Sequence, residues 1–125
     1  MSIGLAAAQE PTPWQASVTG QIEALHSGAA EAALSFAGSG FRDVYDDPQQ
    51  FLSDIKRSGY GPIVDARSHS FGKFEKTDGG LVLQVVTLVG ADQSLYEAVY
   101  EMVEEPDVGW RVRGVVLRKV PGLGV

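Results

Sequence analysis

Residues 22–37 read IEALHSGAAEAALSFA. Two helical patterns meet there at Ser27-Gly28. Upstream, Trp14, Val18, Ile22 and Leu25 recur at helical spacing and mark one buried face. Thr12, Pro13 and Gln15 predict the start of that helix, as cap, first-turn proline and capping-box partner. Downstream, Ser27 can cap a second helix whose inner face is Ala30, Ala33, Leu34 and Ala37. Its alanines predict close packing against a neighbour, and Gly38-Ser39-Gly40 predicts its stop. A short amphipathic helix thus follows another at once, each needing a surface to cover.

The next segments supply that surface. Asp47-Pro48 predicts a third helix with Phe51, Leu52 and Ile55 inward, and Gly59 predicts its end. Tyr60-Gly61-Pro62 then turns the chain into strands expected near 65–76, 81–90, 94–104 and 110–119. Asp78-Gly79 reads as a two-residue hairpin turn, Ala91-Asp92 as a weaker one, and Pro106 to Gly109 as a longer loop. Helices first and a strand meander second predict an α+β layer, with three N-terminal helices packed on one curved antiparallel sheet of about four strands.

Two-residue turns fix the strand parity. They predict one face with Phe74, Leu83, Val85, Thr87, Tyr96, Ala98, Tyr100, Trp110 and Val116, Met102 lying opposite Val112. The other face receives His69, Phe71, Gln84, Val86, Leu88, Leu95, Glu97, Val99, Glu101, Arg111, Arg113, Val115 and Leu117. Both faces carry apolar side chains, so both need cover. Helices cover one; a homodimer through the sheet covers the other.

The chain has 125 residues, 44% hydrophobic and 21% charged, the profile of one folded domain. It contains no cysteine, which excludes disulfides and thiolate chemistry. With a net charge of -6 it repels phosphate backbones, so nucleic acid is not an expected partner. Its longest apolar run, Leu81 to Val89, is too short to span a bilayer as a helix. Residues 1–11 are expected to be a disordered tail, 12–120 the domain and 121–125 a C-terminal tail. The opening IGLAAAQE is similar to the end of an export signal. An exported or periplasmic protein and a cytoplasmic one both fit, export being preferred.

Four pieces together resemble the nuclear transport factor two-like superfamily, the cystatin-like α+β cone. They are GQIEALHSGAAEAALSFA (20–37), DDPQQFLSDIKRSGYGP (46–62), YEAVYEMVE (96–104) and GWRVRGVVL (109–117). More narrowly, they resemble a bacterial family catalogued as domain of unknown function 4864. Such proteins often have Gly-Asp before the second helix, where this chain has Gly28-Ala29. The resemblance implies that the broken first helix pair wraps one edge of the sheet and encloses a pocket. The superfamily holds isomerases, dehydratases, transport adaptors and non-catalytic domains, so it implies no single activity.

Three residues are candidates for acid–base chemistry: His69, Asp65 and Glu97. Each has a structural alternative. His69 is expected beside Arg111 and Arg113 on the outer sheet face. Glu97 and Glu101 offer paired carboxylates, but cross-strand ion pairing, with Glu101 opposite Arg113, is the preferred reading. Tyr60, Tyr96, Tyr100 and Trp110 can line a pocket for a small apolar ligand or fill the core. His26, at a helix C-terminus, suits the helix dipole. Asp43, Asp46 and Asp47 lack the spacing of a calcium loop. No metal site and no cofactor are expected. The function expected is a non-catalytic binding or interaction domain with an apolar pocket. The alternative is an isomerase- or dehydratase-like enzyme acting by proton transfer on a small hydrophobic substrate.

Overall fold

The computed structural model describes residues 12–121; the expected tail and export-signal remnant at 1–11, and all but Pro121 of the C-terminal tail, lie outside them. Five helices precede four strands: α1 Trp14–Ser27, α2 Ala30–Ser35, α3 Ser39–Val44, α4 Pro48–Arg57, α5 Gly61–Val64, then β1 Ser68–Lys76, β2 Val82–Val89, β3 Leu95–Glu105 and β4 Gly109–Lys119. The strands form one antiparallel sheet in the order β1-β2-β3-β4. The helices pack on one face, the α+β arrangement expected of a cone.

The break at residue 28 is a left-handed cap. Gly28 has φ 77°, its amide donates to the Leu25 carbonyl, and the Ala29 amide reaches back to Ala24 at 2.8 Å. This pair of bonds satisfies carbonyls that the end of α1 would otherwise orphan. Ser27 does not cap α2; its hydroxyl donates to the Ala24 carbonyl. Nor does a side chain cap α1, because Gln15 turns inward to Gln84 instead. Asp47 does cap α4, its Oδ1 accepting from the Gln49 amide at 2.9 Å. Gly38-Ser39-Gly40 does more than stop α2, since extended Gly38 starts the short helix α3.

Both early hairpins have three-residue loops rather than two. Gly80 (φ 84°) and Gln93 (φ 70°) adopt the left-handed conformation that closes such loops. The Thr77 amide accordingly bonds the Leu81 carbonyl, and the Gly90 amide the Ser94 carbonyl. The extra residue in each loop inverts the parity of β2 relative to a two-residue turn. The helix-facing side therefore carries Phe71 and Phe74 of β1, Val82, Gln84, Val86 and Leu88 of β2, Tyr96, Ala98, Tyr100 and Met102 of β3, and Trp110, Val112, Val115 and Leu117 of β4. Leu83, Val85, Thr87 and Val116 face out, with Glu97, Val99 and Glu101. Met102 pairs with Val112 as expected, but a bulge next to it pairs Tyr100 with Val115 and not Gly114.

Gln84 is the polar exception in the core and is fully buried. Its Oε1 accepts from Trp14 Nε1 at 2.7 Å and Gln15 Nε2 at 3.1 Å. Its Nε2 donates to the Gly72, Lys73 and Val85 carbonyls. The register of β1 shifts between Phe71 and Phe74, so Gly72 and Lys73 lie where the ladder is interrupted. A long amide reaching in from β2 supplies the donors that interruption removes. Trp14 is meanwhile held edge-on between Phe74 and Trp110, at 5.0 and 5.4 Å. Val18, Ile22 and Leu25 follow it along α1 into the core, each burial contributing roughly 1.5–3 kcal/mol.

The segment after α2 binds the rim of the sheet. The Gly38 amide donates to the Val112 carbonyl and the Val112 amide to the Phe36 carbonyl, both at 2.8 Å. Arg42 Nη2 and the Ser39 amide hold Glu105 at 2.7 and 2.8 Å, anchoring α3 on the same strand pair.

Candidate functional site

A recess of about 190 Å³ lies between the second half of α1, the α3–α4 region and the sheet. Its position follows from local structure. The alanines of α2 let α1 and α4 approach it closely, and Gly59, with φ 95°, reverses the chain after α4. That reversal brings Tyr60 back over the sheet, where its hydroxyl donates to the Val115 carbonyl at 2.9 Å. Tyr100 forms the floor. Phe51 stands in one wall, edge-on to both Phe41 and Tyr45 at 6.0 and 5.3 Å. Leu25, Ile55, Ile63 and Val115 complete a mostly apolar lining.

Three lining residues bring polar groups of different character. Gln21 is buried on α1 and donates through Nε2 to the Ala33 carbonyl at 3.1 Å, so it ties α1 to α2. Asp54 accepts from Tyr45 Oη at 2.5 Å, from Gln50 Nε2 at 2.8 Å and from Arg57. The tyrosine hydrogen bond, followed by those from Arg57 and Gln50, holds its carboxyl below the ordinary carboxylate range. Tyr100 is 1% exposed, yet among the described residues its hydroxyl has no hydrogen-bond partner. Burial, with Tyr60 beside it, pushes that phenol well above the ordinary tyrosine range. It therefore stays a protonated donor.

The sequence model of a family described as domain of unknown function (DUF4864) matches residues 7–125. The chain belongs to this family. No curated protein matches it.

In this DUF4864 domain, Tyr60 and Tyr100 come together at the recess. Tyr96 lies apart, half-buried at the other end of β3, its hydroxyl donating to Asp92 at 3.1 Å. Trp110 packs on Trp14 away from the recess. His69 faces the helices and not the outer side of the sheet: it lies opposite Leu88 as expected, but the three-residue loop at 91–93 turns Leu88 to the helix side. Its Nε2 meets Thr19 Oγ1 at 3.0 Å. Asp65 is exposed after α5. Glu97 faces outward and pairs with Arg118 at 2.9 Å, while Glu101 lies 3.7 Å from Arg113. None of His69, Asp65 and Glu97 lines the recess. His26 meets the Val64 carbonyl through Nδ1 at 3.1 Å and so joins α1 to α5.

Gln21, Tyr45 and Asp54 are the site residues that pattern reading passes over. Gln21 carries a legible signal, as a polar side chain beside Ile22 on the inner stripe of α1. Asp54 carries none, since on α4 it reads as an ordinary solvated carboxylate. Among the described residues no cluster of His, Asp and Glu has the arrangement to hold a metal ion, and no helix is long and apolar enough to cross a membrane.

Proposed function

We propose that this DUF4864 domain is a binding module whose recess takes a small, mostly apolar ligand. The observation that carries this reading is Tyr100. Its ring is almost wholly buried, while its hydroxyl, which no described residue engages, is left to whatever occupies the recess it lines. An apolar cavity with a few convergent polar groups is the usual form of a ligand site. Placement in the nuclear transport factor two-like superfamily belongs to the same proposal, supported by the α+β layering and the recess between helices and sheet.

Titration with ethylbenzene, followed through the methyl resonances of Leu25, Ile55 and Val115, tests the site. Saturable shifts confined to these methyls are expected in the native chain. They should vanish in Ile55→Trp, which fills the recess from α4, with folding verified by thermal melting. Shifts that scatter over the surface, or persist in that variant, would remove the recess as the site.

The second reading, a proton-transfer enzyme, has one observation in its favour: a carboxylate, Asp54, lines the recess. Its three donors hold it in place but lower its basicity, which ranks this reading below simple binding. Deuterium exchange from solvent into a bound ketone, lost in Asp54→Asn, would reverse the ranking.

The outer sheet face is proposed as a homodimer interface. Val85, Val99 and Val116 lie side by side across three strands, and Val116 is 70% exposed. The Glu97–Arg118 and Glu101–Arg113 pairs flank this row. A two-fold axis parallel to the strands and between β3 and β4 would lay valine on valine. It would also set each glutamate against an arginine of the second copy, the self-complementarity such an interface requires.

A further inference from the structure

The recess has a shape and a charge balance that narrow its ligand, provided that it is the binding site proposed above. A dry protein cavity of about 150 Å³ already admits benzene. A recess of about 190 Å³ has room for one six-membered ring with a short substituent. Its walls suit such a ring, because Phe41, Tyr45 and Phe51 already meet edge-to-face and can extend that packing to a further aromatic face.

The charges rule out ions. No described residue lining the recess is a lysine, arginine or histidine, so a carboxylate or phosphate entering it would lose its water without gaining a counter-ion. Cations fare no better. The one lining carboxylate, Asp54, is already engaged by Tyr45, Gln50 and the guanidinium of Arg57. The ligand is therefore neutral.

The polar groups define its single polar feature. Tyr60 spends its proton on the Val115 carbonyl, Tyr45 spends its own on Asp54, Gln21 spends an amide proton on Ala33, and Ser58 is exposed to solvent. Tyr100 keeps an unspent proton. What it lacks is an acceptor. We propose that the recess takes a neutral single-ring compound bearing one acceptor oxygen, a carbonyl or an equivalent, and that Tyr100 donates the hydrogen bond that fixes it.

Three probes of nearly one shape separate the terms: acetophenone, ethylbenzene and benzoate. Their dissociation constants would be measured by methyl-shift titration against the native chain and Tyr100→Phe. In the native chain acetophenone should bind roughly tenfold more tightly than ethylbenzene, the worth of one good buried hydrogen bond, and benzoate more weakly than both. In Tyr100→Phe the advantage of acetophenone should fall to about unity, while ethylbenzene binds as before and so reports an intact recess. If ethylbenzene matches acetophenone in the native chain, if benzoate binds best, or if Tyr100→Phe retains the preference, this ligand class is wrong and the binding reading stands. If no probe binds, both are overturned.

Discussion

At the scale of single residues, Gln84 holds together parts of the chain that are far apart in sequence. One side chain serves Trp14 and Gln15 on α1 and the interrupted carbonyls of β1. Gln84→Leu conserves apolar bulk but orphans the indole N–H and the Gly72 and Lys73 carbonyls at once. It should cost about 3 kcal/mol or more, at roughly 1–3 kcal/mol for each buried group left unpaired. Urea denaturation would register this as a lowered midpoint with an unchanged slope. A loss below about 1 kcal/mol would show that the network is not stabilising in this way. Gln21 and Gln84 are both polar residues on inner stripes, and both bond to backbone of a neighbouring element. A glutamine in an apolar pattern signals such a tie, although the sequence does not reveal which carbonyl it reaches.

At the scale of elements, the helices were legible and the strand faces were not. α1, α2 and α4 announce themselves by spacing, and their ends by Gly28, Asp47 and Gly59. The short helices α3 and α5 escape pattern reading: α5 is a single turn, too short to show a period, and α3 begins at Ser39 inside the Gly38-Ser39-Gly40 stretch that reads as a stop. The sheet order was also legible, since meanders with short loops pair in sequence. The side-chain faces hinged on whether each hairpin loop holds two residues or three. Asp78-Gly79-Gly80 permits either, and Gln93 gives no hint that it adopts a left-handed conformation. One residue in each loop therefore exchanged the faces of β2 and moved His69 to the side of the helices. The same loop yields a prediction. A left-handed conformation costs an L-residue roughly 1–2 kcal/mol, and glycine much less. Gln93→Gly should therefore stabilise the domain by about 0.5–1 kcal/mol, seen as a rise in melting temperature. A fall would mean that the Gln93 side chain supports the turn more than its backbone strains it.

At the scale of the whole molecule, the sheet has one face covered by helices and one bare. The proposed dimer makes this a matter of concentration. Sedimentation equilibrium should give twice the chain mass at micromolar concentration, and Val99→Glu should return a monomer, because a carboxylate at the centre of the valine row would be buried without a partner. A native chain that stays monomeric at that concentration would refute the interface. The site was legible to a lesser degree than the fold. Tyr60 and Tyr100 were read as pocket candidates by residue type, but their meeting depends on the reversal at Gly59, and Asp54 joins them only through the packing of α4.

The clasp between residues 36–38 and Val112 has a consequence for how molecules can join. Cross-molecular ribbons lengthen only if each unit offers two free strand borders, one to add to and one to be added to. Here the β4 border is interrupted by the chain's own backbone, and β1 is left as the continuous one, itself distorted at Gly72-Lys73. Two copies joined at β1 would use up the open borders of both, so edge-to-edge growth ends at a pair instead of running on into a fibre.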